Sequence, residues 1–139
     1  MQAIFCHTLE VRFRDCDPMG HVNNAVYLTY LEQARFAHWR AAWGFGFDQR
    51  PPELPGVILA RAEIDYKRPA RYGDRLEVAI GLERIGRTSF TYRYEVRDQA
   101  GQLVATATTV QVMYDYSTGT PVRVPDEIRR KLQPENAAG

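Results

Sequence analysis

Cysteine is scarce in this chain, with Cys6 and Cys16 the two examples among 139 residues. They stand ten positions apart on a stretch that reads mostly as strand, which would hold them roughly 33 Å apart if extended throughout. No disulfide is expected between them. No apolar run approaches the roughly eighteen residues of a membrane span. Residues Met1 to His7 have neither a basic lead nor a signal-length apolar core, so a cytoplasmic protein is expected. Excess charge is missing too. Eighteen Lys plus Arg against seventeen Asp plus Glu leave a net +1, which argues against nucleic acid as a partner of the whole surface. The nucleophile elbow G-x-S-x-G, the P-loop and the dinucleotide G-x-G-x-x-G are also absent, removing serine hydrolases, NTPases and nicotinamide enzymes as default readings.

What is present suits one domain over residues 1–139, with a core from about 8 to 115 and a short tail. The chain is 45% hydrophobic, and at this size about 70% of its surface can be buried without staples. Leu9, Val11 and Phe13 alternate with Glu10, Arg12 and Arg14 as in a half-buried strand that stops at Asp15. After a breaker-rich loop, Tyr27, Leu28, Leu31, Ala34 and Ala41 recur at helical spacing, predicting a helix from Asn24 to Trp43 that ends at Gly44. Even positions from Ile58 to Tyr66 predict a second strand. Leu76 to Leu82 and Phe90 to Val96 predict a hairpin around Gly86, and Leu103 to Tyr114 a fifth strand. A short helix is expected near Asp126 to Leu132. The class is α+β, a five-stranded antiparallel sheet covering one long helix. Its free edges predict a homodimer, through the sheet edge or around the helices.

Chemistry concentrates in Arg14-Asp15-Cys16-Asp17-Pro18-Met19-Gly20-His21-Val22-Asn23-Asn24, just before the long helix. A helix start leaves backbone N–H groups without partners and carries partial positive charge, so it can receive a carbonyl oxygen that becomes an anion. Gly20 would permit close backbone approach. Asp17 could then act as nucleophile or as general base on water. On residue type alone, turn and cap roles for Asp15, Asp17 and the asparagines are the simpler reading. Cys16 is a poor candidate nucleophile, since the flanking carboxylates disfavour a thiolate. His21 with Asp15 or Asp17 lacks further ligands at a recognisable spacing, so no metal is expected. Residues 61–97 hold nine basic against six acidic groups. At the hairpin turn Arg84, Arg87, Thr88 and Ser89 offer donors suited to phosphate, or form a solvated strand end.

The run Val11-Arg12-Phe13-Arg14-Asp15-Cys16-Asp17-Pro18-Met19-Gly20-His21-Val22-Asn23-Asn24-Ala25-Val26-Tyr27 resembles the opening motif of hotdog-fold acyl-CoA thioesterases of the 4-hydroxybenzoyl-CoA thioesterase type. Asp65 to Asp74 and Gly86 to Phe90 resemble later segments of that family, so the likeness spans Leu9 to Tyr114. The resemblance implies a sheet wrapped around a central helix, an obligate homodimer that can pair into a tetramer, and an active site built from both subunits. It puts the catalytic aspartate on Asp17 and the amide that polarises the thioester carbonyl near Asn24. His21, Val22, Asn23 and Tyr27 then flank the substrate, and Arg87, Thr88 and Ser89 meet the nucleotide of coenzyme A. Glu32 and Glu63 are reserve carboxylates, because other hotdog thioesterases use an acid on the helix or second strand. His21-Val22-Asn23-Asn24 departs from the hydroxybenzoyl enzyme and is more similar to long-chain and broad-range acyl thioesterases. The implied reaction is acyl-CoA hydrolysis without a cofactor, coenzyme A being part of the substrate. The alternatives are a non-catalytic acyl-CoA binder or sensor and a hotdog hydratase.

Overall fold

The computed structural model describes residues 1–133. Strands β1 (Ala3–Glu10), β2 (Gly56–Tyr66), β3 (Arg75–Ile85), β4 (Ser89–Arg97) and β5 (Leu103–Asp115) form an antiparallel sheet in the order β1-β3-β4-β5-β2. Helix α1 (Val26–Trp43) lies against one face. This is the hotdog arrangement implied by the opening motif. A two-residue strand β6 (Thr120–Pro121) pairs with the end of β5, adding a sixth strand to the five expected.

Alternation fixed the middle of the sheet well. Leu76, Val78 and Ile80 of β3 and Phe90, Tyr92, Tyr94 and Val96 of β4 are all 1% exposed or less and share the helix-facing side. The first strand differs from expectation. It occupies Ala3–Glu10, and Phe13–Asp15 form a 3-10 turn instead of continuing it. Phe13 is 79% exposed, so its alternation with Val11 was coincidental. Strands β3, β4 and β5 pair in chain order, whereas β2 crosses over to pair with β5 at the far edge.

Even alternation along β2 also fails halfway. Leu59 sits opposite Gln111 and Arg61 opposite Val110, leaving Ala60 as a bulge. The inner face is therefore Val57 and Leu59 before the bulge, then Ala62, Ile64 and Tyr66 after it. The tail contributes to the core as well. Helix α2 (Asp126–Leu132) forms where expected and buries Ile128 and Leu132, so the core extends past residue 115. Both cysteines are free thiols.

Helix α1 approaches β1 and β3 most closely. Trp39 stacks edge-on against Phe90, and its Nε1 donates to Tyr92 Oη at 2.9 Å. This leaves the inner face of β2 partly uncovered. Leu28 and Phe36 on α1 and Leu59 and Tyr66 on β2 are 43–48% exposed along an open groove. The helix ends at Gly44, whose φ of 77° is the left-handed conformation that suits glycine.

Candidate active site

The loop before α1 is held by a short ladder. Asp17 N–H donates to His21 O, Val22 N–H to Ala70 O and Asn23 N–H to Asp15 O, at 2.8–3.0 Å. Gly20 takes φ 89° in the turn, and no atom lies within 4 Å of a Cβ built there. Its glycine is required by backbone conformation, not by close approach of a neighbour.

Asp15, which sequence reasoning treated as a turn residue, is buried. Its Oδ2 accepts from Tyr30 Oη at 2.8 Å and from the Arg12 amide at 3.0 Å, and its Oδ1 meets Arg12 Nη2 at 3.0 Å. Burial pushes its pKa up, but the Arg12 and Tyr30 bonds outweigh that and hold it below the usual carboxylate range. Spacing gave no sign of this, because the Tyr30 partner lies fifteen positions away on α1.

The helix begins two residues later than the pattern predicted. Asn23 Oδ1 accepts the Ala25 N–H at 2.9 Å and Asn23 O accepts the Val26 N–H at 2.9 Å. Asn23 thus closes the turn that leads into the helix at Ala25, and these bonds leave the Asn24 N–H without an acceptor among the described residues. Asn24 opens onto a cleft of about 200 Å³ lined by His21, Val22, Tyr27, Tyr66, Lys67, Arg68 and Pro69. Tyr66 was not anticipated. Its hydroxyl donates to Asn24 O at 2.9 Å and its ring packs edge-on to Tyr27. The inward register of β2 was the available signal. Tyr27 is buried, and burial raises its hydroxyl pKa, so it meets the cleft as a neutral group.

Asp17 lies beside this cleft rather than in its lining. Its Oδ1 accepts the Met19 N–H at 2.9 Å and stands 4.0 Å from His21 Nδ1. Its other oxygen accepts no hydrogen bond among the described residues. Its side chain is 22% exposed, so it is partly shielded from solvent.

The remaining candidates are elsewhere. Glu63 lies on the outer face of β2 in an ion pair with Arg61, away from α1. Glu32 is eight positions down α1 from Asn24, about 12 Å along the axis. The turn carrying Arg87, Thr88 and Ser89 is at the opposite end of the sheet. Ser89 is seven positions before Val96, which shares partner Ala105 with Tyr66, a separation of about 23 Å along the strand. There α2 braces the turn, with Arg129 Nη2 donating to Gly86 O at 2.6 Å and Val124 N–H to Arg87 O at 2.8 Å. A larger cleft of about 450 Å³ between Arg50, Leu54, Tyr114 and Tyr116 contains none of these groups. Among the described residues no three His, Cys, Asp or Glu side chains group as metal ligands.

A sheet curled on one helix, with an open amide at the helix entrance and an acid in the adjoining loop, defines a protein of the hotdog class. The chain belongs to the thioesterase-like superfamily, whose sequence profile matches residues 11–132. It is 34% identical over 125 residues to a 1,4-dihydroxy-2-naphthoyl-CoA hydrolase of Synechococcus elongatus, covering 88% of this chain and 90% of that one. It is 28% identical over 134 residues to the long-chain acyl-CoA thioesterase FadM of Escherichia coli, covering 90% and 94%. Among solved structures, a thioesterase of Thermus thermophilus complexed with coenzyme A and Zn matches with TM-score 0.78 and 32% identity, covering 95% and 99%.

Proposed function

We propose that this protein hydrolyses acyl-CoA to a carboxylic acid and free CoA in the cytoplasm, using Asp17 and the Asn24 N–H, with water as co-reactant. The observation that carries the reading is the Asn24 amide, which has no acceptor among the described residues and lies at a cleft beside a carboxylate. A thioester carbonyl seated there accepts that N–H, and the bond strengthens as negative charge gathers on the oxygen. Tyr66 holds the Asn24 peptide from the other side. Asp17 either attacks the carbonyl carbon or takes a proton from water that does so. In both routes the C–S bond breaks, a C–O bond forms, and the thiolate leaves and is protonated; after direct attack, water then cleaves the acyl-Asp17 anhydride to release the acid and regenerate the carboxylate. Relatives named as acyl-CoA and dihydroxynaphthoyl-CoA hydrolases support the reaction class.

The nucleotide is assigned to Arg87, Thr88 and Ser89. Their distance from Asn24 in one chain supports a homodimer in which one copy supplies the thioester end of a site and its partner the nucleotide end. Asp17→Asn tests the mechanism. Release of thiol from a panel of acyl-CoAs is expected to fall about a hundredfold or more, with the oligomer intact. Near-wild-type turnover would remove Asp17 from the chemistry, and binding without turnover by the wild type would make the protein a sensor. Label from oxygen-18 water entering Asp17 in a single turnover would identify direct attack.

A further inference from the structure

Arg35 is 5% exposed, faces the sheet from the middle of α1, and pairs with no carboxylate among the described residues. Of the five N–H donors of a guanidinium, one is engaged among the described residues, donating from Nη1 to Tyr94 Oη at 3.2 Å. The hydrogen bonds beyond it run in one direction. Thr109 Oγ1 donates to Gln111 Oε1, so Tyr94 Oη must donate to Thr109 Oγ1 across 2.6 Å, and Gln111 Nε2 donates to Phe90 O at 3.1 Å. Tyr94 is therefore satisfied, and Arg35 makes no second side-chain hydrogen bond among the described residues. The remaining donors are not sealed in the core but reach the adjoining cavity.

Arg35 and Gln111 line a cavity of about 90 Å³ with Glu32, Phe36, Trp39 and Leu59, at the far end of the groove between α1 and β2. Asn24 opens the near end. Eleven helical positions span about 16 Å, and an arginine on a helix leans back toward its N-terminus. The guanidinium is thus about 10–16 Å from the Asn24 amide. A staggered carbon chain advances about 1.25 Å per bond, so roughly eight to thirteen bonds join the two ends. The walls between include Leu28, Ala62 and Ile64, which suit methylenes. Donors from Arg35 beside the Glu32 carboxylate match a neutral oxygen that both accepts and donates. A second carboxylate would face Glu32.

We propose that the acyl group taken by this protein is a medium-length chain bearing a hydroxyl near its distal end, which accepts from Arg35 and donates to Glu32. This rests on the acyl-CoA hydrolase reading. The test compares kcat/KM for ω-hydroxydecanoyl-CoA and decanoyl-CoA in the full chain. Wild type should favour the hydroxylated substrate by about tenfold or more, since a site built for a hydroxyl rejects the analogue lacking it. In Arg35→Met the ratio should collapse to near one. Leu59→Trp, at a half-exposed position, narrows the same cavity and should lower kcat/KM for ω-hydroxydecanoyl-CoA about tenfold more than for hexanoyl-CoA. It serves if Arg35→Met fails to fold. A wild-type ratio near one, or a preference that survives Arg35→Met, overturns the proposal. So does dissociation of the oligomer by Arg35→Met with the ratio unchanged, which would assign the missing acceptor to a second copy. Hydrolysis of both substrates without preference leaves the hydrolase reading standing, whereas hydrolysis of no acyl-CoA removes that reading itself.

Discussion

Asp15 and His38 are both buried and ionisable, and their pKa shifts act on stability in separate pH windows. His38 Nε2 is buried with no partner among the described residues, its ring set between Phe5 and Tyr92, and burial lowers its pKa to about 4. The unfolded chain takes up a proton near pH 6.5 that the folded chain refuses until about 4. Stability is therefore full above 6.5 and lost as pH falls through that window, by about 3 kcal/mol. Thermal melts from pH 7 to 4 should show the decline, and His38→Phe should flatten it. Asp15 acts lower. Its folded pKa is depressed, so its contribution is present above about 3.9 and is lost as pH falls through the folded value. Asp15→Asn removes the charge while keeping the shape. Hydrogen bonds to charged groups contribute about 1.5–3 kcal/mol each, so the variant should melt several degrees lower at pH 7. A melt equal to wild type would show that the Arg12 and Tyr30 bonds stabilise nothing.

Among the elements, the termination of α1 is open to a direct test. Gly44 is left-handed with empty space around it, so Gly44→Ala introduces backbone strain and no clash. It should cost about 1 kcal/mol by chemical denaturation, and an unchanged midpoint would argue against a left-handed cap. The elements visible in sequence were those whose two faces differ consistently. Strands β3 and β4 alternate apolar and polar residues along most of their length, and α2 carries apolar residues one turn apart at Ile128 and Leu132. Strand β1 was placed too late in the chain because His7, facing inward opposite Val78, interrupts the apolar set of Phe5 and Leu9. Strand β2 was found, but its bulge was not, since Ile58, Ala60 and Ala62 continue an even pattern straight through the change of face. At the site, a loop of acids and amides placed before a helix was legible from residue types, whereas Asn24 was singled out only by the family resemblance. Tyr66 and Arg35 were not, because each matters through a partner brought to it by the sheet.

At the scale of the whole molecule, the uncovered strip of Leu28, Phe36, Leu59 and Tyr66 is the surface on which the proposed homodimer depends. An apolar strip flanking an edge strand tends to be covered by a partner. Leu28→Asp should shift the protein toward monomer in sedimentation equilibrium, and thiol release should fall with it. A monomeric wild type that hydrolyses acyl-CoA would end the idea of a shared site. For Arg87→Ala, at the distant turn, KM should rise several-fold with kcat nearly kept, because a phosphate contact binds ground and transition states alike. An unchanged KM would send the nucleotide elsewhere.

The single extra residue at Ala60 lets both halves of the edge strand look into the same groove. On the proposed reading, exchanges at Val57 and Leu59 lengthen or shorten the room for an acyl tail, while the pairing that holds Tyr66 at Asn24 stays in step. A lineage carrying this kink can change its diet without relearning its chemistry.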